Sequence, residues 1–142
     1  MSISNTEFGS QIIKRTILKE GSIHFFNHLA VIEFNEGVHI DLISVKSTLD
    51  ELLSYFGKSK PFGIITNRIN SYSASTLDIK HARQALPNLS AYGIIWHNEA
   101  GRMNAKIESS FCQRKDICFD NLYDGLHTIY RRVKARLKKS LN

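Results

Sequence analysis

Two cysteines, two prolines and one tryptophan are all that the 142 residues contain of these types, and no apolar run approaches the roughly 20 residues that cross a bilayer. Cys112 and Cys118 are too few for a disulfide framework and wrongly spaced for a metal knuckle, so both are expected as reduced thiols. Two prolines and eight glycines exclude a collagen-like or low-complexity chain, and 42% hydrophobic residues exclude a disordered one. The first ten residues lack the basic stretch, apolar core and small-residue cleavage site of a secretory signal, which makes the cytoplasm the expected compartment. The length suits one domain, 1–142, with residues 1–10 expected to be flexible.

Negative charge is scarce in one place only. Arg131, Arg132, Lys134, Arg136, Lys138 and Lys139 form a basic patch without an acid among them, and removing these six from the 19 Lys and Arg leaves 13 bases against 13 acids. The net charge of +6 is therefore local to residues 131–142. A nucleic-acid reader spreads bases along a surface that follows phosphates, so nucleic acid is not the expected partner. Cations in the last turns of a helix also complement its dipole; association with a membrane surface or nucleic acid is a third-ranked reading of the patch.

Residues 11–20 are β-branched and interrupted by charge, which suits an edge strand open to pairing in a homodimer. Residues 23–26 and 29–34 complete an antiparallel meander. Asp41 then caps a helix that Gly57 ends, with Leu42, Val45, Leu49, Leu52, Leu53 and Phe56 on one face. Residues 62–66 form a buried strand. Ser75 and Asp78 have capping-box spacing before a helix that presents Leu77, Ala82, Ala85 and Leu86, and Pro87 stops it. Residues 91–96 repeat the buried-strand pattern. Asn98 caps a third helix with Ala100, Met103, Ile107 and Phe111 aligned, residues 116–119 form a last strand, and Asp120 or Asn121 caps a fourth helix with Leu122, Leu126, Ile129, Tyr130, Val133 and Leu137 inside. The order βββ-α-β-α-β-α-β-α predicts an α/β fold: one mixed sheet of five to six strands with parallel, right-handed crossovers and helices packed on it.

This order, with Glu36-Gly37-Val38-His39-Ile40 before the first helix and Pro61-Phe62-Gly63-Ile64-Ile65-Thr66-Asn67-Arg68-Ile69-Asn70-Ser71-Tyr72-Ser73 after it, resembles the STAS-like or SpoIIAA-like superfamily, and in particular small uncharacterised Bacteroidetes proteins. The resemblance implies SpoIIAA-like topology over nearly the whole chain, and a non-catalytic regulatory or protein-interaction role like that of anti-sigma-factor antagonists; other members are transporter domains or lipid-binding. In the antagonist branch a residue at the start of the helix after the central strand is phosphorylated. The matching region offers Ser71, Ser73, Ser75 and Thr76, with Tyr72-Ser73-Ala74-Ser75-Thr76 in place of that branch's Asp-Ser-Ser/Thr-Gly-like signature. Ser75 also reads simply as a helix cap.

No nucleophile, base and orienting acid occur in a recognisable arrangement, and no catalytic residue is assigned. His24, His28, His39, His81, His97 and His127 show no ligand spacing and read as surface or boundary residues; no metal or cofactor is expected. Loops at the carboxyl ends of adjacent parallel strands form the usual crevice of an open α/β sheet. Here they would bring Asn67, Arg68, Asn70, Tyr72 and Ser73 to His97 and Arg102, as a surface for a protein partner or a pocket for a small anionic or amphipathic ligand held by Arg68 and Arg102. Arg68 has Glu99 and Asp78 as alternative ion-pair partners, and Trp96 and Tyr92 read as packing residues.

Overall fold

Apolar runs alternating with amphipathic segments build a six-stranded mixed sheet and four helices in the computed structural model, which describes residues 1–111 and 117–141. The chain order is β1 (Lys14–Ile17), β2 (Gly21–Phe25), β3 (Leu29–Phe34), β4 (His39–Ile40), α1 (Leu42–Phe56), β5 (Phe62–Arg68), β6 (Ser73–Ala74), α2 (Thr76–Gln84), β7 (Leu89–Trp96), α3 (Glu99–Phe111), β8 (Cys118–Phe119) and α4 (Leu122–Leu141). The sheet runs β1-β2-β3-β5-β7-β8, antiparallel through the meander and parallel from β3 onward. Both faces of β3 and β5 are covered, which is why these strands read as unbroken apolar runs. One core lies under α1, α2 and α3, and the other under α4 and the first residues of the chain.

Residues 1–10, expected to be flexible, instead form two 3-10 turns, Ile3–Asn5 and Glu7–Gln11, and bury Ile3 completely among α4-side residues. The second turn takes up Gln11, so β1 is shorter than the residues 11–20 expected of it and starts at Lys14. It is one edge of the sheet and carries Lys14 and Arg15, charges that oppose edge-to-edge pairing.

The helix caps follow the sequence in three cases of four. Asp41 accepts the Ser44 amide at 2.9 Å while the Ser44 hydroxyl accepts the Asp41 amide at 2.9 Å. Asn98 accepts from Gly101 at 2.7 Å, and Asn121, not Asp120, accepts from Asp124 at 2.8 Å. The fourth differs: the Ser75 side chain makes no cap bond, and Asp78 accepts the Leu42 amide at 3.2 Å, tying the start of α2 to the start of α1.

Several phases differ too. Leu42, Leu77, Met103 and Tyr130, expected inside, are 43%, 60%, 61% and 43% exposed. In α2 the inward spacing is Ile79, Ala82 and Leu86, so Leu77 and Ala85 turn out. In α3 Ala105 is buried while Ala100 faces solvent; the side chains of Ile107 and Phe111 lie outside the described residues. In α4 the stripe Leu122, Leu126, Ile129, Val133 keeps the helical period, and Tyr130 falls one residue off it. This stripe crosses the sheet where it has no side chains: a Cβ on Gly63 would stand 2.5 Å from Ile129 Cγ2. Cys118 is half-buried, its thiol donating to the Ala105 carbonyl at 3.5 Å; Cys112 and Asp116 lie outside the described residues. Among the described residues no helix is long and apolar enough to cross a membrane.

Candidate functional site

β5 and β7 are adjacent and parallel, with Asn67 opposite Ile95 and Arg68 opposite Trp96, so the polar turns that follow them do share one rim. The rim is not a single crevice. Side chains alternate along a strand, and Asn67 joins the α4 face while Thr66 and Arg68 join the face under α1, α2 and α3. Asn67 and His97 are thereby brought together, and separated from Arg68, Tyr72 and Arg102 by the sheet itself.

On the α4 face the polar cluster is centred on Glu33, 5% exposed. Its carboxylate accepts from Asn67 Nδ2 at 2.6 Å, the Ile3 amide at 2.8 Å and the Ser2 hydroxyl at 2.7 Å, and stands 3.2 Å from His24 Nε2. Burial works to raise its pKa, but the donors His24, Ile3, Ser2 and Asn67 outweigh it and hold the carboxyl at about 2. His97 continues the chain outward, its Nε2 lying 2.7 Å from Asn67 Oδ1. Partial burial, reinforced by the charge of the amino terminus and opposed by Glu33, lowers the His97 pKa. His24, grouped by sequence with surface or boundary histidines, is fully buried, with Ser22 Oγ 3.1 Å from Nε2 and Ser4 Oγ 3.5 Å from Nδ1. Ser4, His24 and Glu33 thus contain the residue types of a hydrolytic triad, but neither cavity described below reaches them, and the network acts as a clamp on the first residues of the chain. The sequence did carry a signal for Glu33: an acid inside a strand buried on both faces requires partners.

On the opposite face Arg68 is 6% exposed and lies 4.2 Å from the Tyr72 ring, which meets Phe34 edge-on at 5.1 Å. Neither Glu99 nor Asp78 pairs with it. Glu99 accepts from Arg102 at 2.9 Å, and Arg102 stands 6.0 Å from the Trp96 ring. Asn70 and Ser73 hold the turn: Asn70 donates to the Phe34 carbonyl at 3.0 Å and Ser73 Oγ lies 2.7 Å from His39 Nδ1. Ser73 is exposed in β6, which pairs in parallel with β4, and Ser75 is half-buried; the Thr76 side chain lies outside the described residues.

Beneath Tyr72 a cavity of about 70 Å³ separates α1 and α2 from β3, β5 and β7. Leu52, Ile64, Ile79, Leu86 and Tyr92 supply a nearly all-apolar wall, in which Thr66 Oγ1 and the Tyr92 hydroxyl lie 3.4 Å apart. Arg83 reaches the same cavity, and its Nη1 is sealed from solvent without a hydrogen-bond partner. Sequence reading missed Arg83; its place in α2 between the inward Ala82 and Leu86 was the available clue.

The basic residues 131–139 lie on the far half of α4, with Lys58 on a groove that Arg136 lines and Lys60 acting with Lys134 on His28. Burial first, then the charges of Lys60 and Lys134, lower the pKa of His28, and Lys58 and Arg136 flank a polar groove of about 340 Å³. Among the described residues no three His, Cys, Asp or Glu side chains converge as a metal site. The chain matches no family model, no curated protein and no solved structure.

Proposed function

We propose that the chain is a non-catalytic, STAS-like cytoplasmic binding domain, a carrier or sensor that takes a small amphipathic anion into the cavity between α1, α2 and the sheet. One observation carries this reading: a cavity of about 70 Å³ with an apolar wall and one sealed, unpartnered guanidinium nitrogen at Arg83. The apolar atoms of its wall lack packing partners on that side. Water is poorly held by walls that offer it few polar partners. A short aliphatic tail recovers the lost contacts, and a carboxylate satisfies Arg83. The acids near the mouth do not compete for that role, since Asp41 and Asp78 are occupied by the amides of Ser44 and Leu42.

Thermal unfolding with hexanoate and hexanol tests the reading. Hexanoate at 100 times its dissociation constant is expected to stabilise the fold by about 2.7 kcal/mol. Ala82→Leu, which fills the cavity, removes the response, and Arg83→Gln removes the preference for hexanoate over hexanol. A melting temperature unmoved by both compounds refutes it.

The resemblance to protein-interaction domains supports a second reading, favoured by the exposure of Leu42, Ile43 and Leu77 at 43%, 89% and 60% on two helix starts joined through Asp78. In this reading the lip beside the cavity binds a second copy of the chain. Sedimentation velocity is then expected to show a dimer that Ile43→Glu abolishes; a monomer at all concentrations and with hexanoate present removes it.

A further inference from the structure

Arg68 ends β5 with 94% of its surface buried, stacked on Tyr72, and its Nε is sealed without a hydrogen-bond partner. No described carboxylate serves it: Glu99 is held by Arg102, Asp78 by the Leu42 amide, and Glu33 belongs to the opposite face. A buried charge without a counter-charge is costly, and stacking on a tyrosine ring offsets only part of that cost. The second guanidinium on this rim, Arg102, has both an aromatic ring, Trp96, and a carboxylate, Glu99. Arg68 has the ring and lacks the carboxylate, with Trp96 in register beside it on β7.

We propose that Arg68 anchors a site for a small oxyanion, a carboxylate or phosphate group bound edge-on to the guanidinium with Tyr72 behind it. The planar fork of arginine suits either group, and with only 6% of Arg68 exposed the group to be expected is a small free anion. Tyr72 is the wall shared by this site and the cavity under α1 and α2, a cavity that Arg68 itself does not line.

The test is a titration of the ¹⁵N-labelled full chain with potassium phosphate, potassium acetate and, at matched ionic strength, potassium chloride, following the Arg68 Nε–Hε resonance. That signal is assigned by its loss in Arg68→Lys. Saturable movement with phosphate or acetate and none with chloride supports the site, and whichever anion acts identifies the group. A signal that stays fixed, or moves equally with chloride, overturns it. Arg68→Lys keeps the charge and loses the fork, and is expected to weaken binding at least tenfold while the backbone spectrum remains folded; undiminished affinity in that variant also overturns the proposal. Should Arg68→Lys fail to fold, Tyr72→Leu, which removes the stacked ring, takes its place with the same expected loss, and the titration of the unaltered chain still decides.

Discussion

The backbone amide of Ile3 donates to the Glu33 carboxylate at 2.8 Å, so an acid in the middle of the sheet holds down the start of the chain. The same carboxylate bonds Asn67 on the next strand, and Asn67 bonds His97 beyond the strand after that. Four distant segments meet at one buried charge.

Stability is expected to fall with acid through this group. The folded pKa of Glu33, about 2, lies below its ordinary 4.5, so its contribution is complete above pH 4.5 and is lost as pH falls from there to about 2. The contribution is on the order of 3 kcal/mol. Urea unfolding between pH 7 and pH 2 checks it: Glu33→Gln is expected to be less stable at pH 7 and to show a shallower decline across that window.

Gly63→Ala is expected to destabilise the fold by about 1–3 kcal/mol. The new methyl would meet Ile129 Cγ2 at 2.5 Å and Val133 Cγ2 at 3.0 Å, and α4 would have to shift off the sheet. Chemical denaturation measures the loss, and an unchanged midpoint would mean that α4 is not seated on β5 as described.

Two leucines, Leu77 in α2 and Leu86 just past its end, are expected to behave oppositely. Leu86 is 4% exposed, and Leu86→Ala is expected to cost about 2–5 kcal/mol; Leu77 is 60% exposed, and Leu77→Ala is expected to stay within about 0.5 kcal/mol of the parent. Equal losses in the two variants would restore the helix phase read from sequence.

The strands were legible because β3, β5 and β7 are apolar on both faces, and the helix starts because Asp41, Asn98 and Asn121 have side chains that reach back to the first turn. β4 and β6 were not, since two residues each are too few to show a period. For α2, Ala82 and Leu86 were read inward correctly while Leu77 and Ala85 were added to them, and in α3 Met103 outweighed the smaller Ala105 that packs inward. The rim was legible as a place but not as a shape. Sequence neighbours Asn67 and Arg68 look like one cluster until pleating sends them to opposite sides, and Glu33 and Arg83 came into view only with the partners, or lack of partners, that the fold gives them.

The short ladder of His39–Ile40 with Ser73–Ala74 lies immediately before α1 and α2, and the Asp78 bond to Leu42 repeats the connection one step further in. The two helices are thus pinned to each other at their starts, and at the other end Asn88, just past α2, donates to the Gly57 carbonyl at 3.0 Å. A slot stapled at both ends has no free jaw to swing, so its width is set by the side chains between the staples.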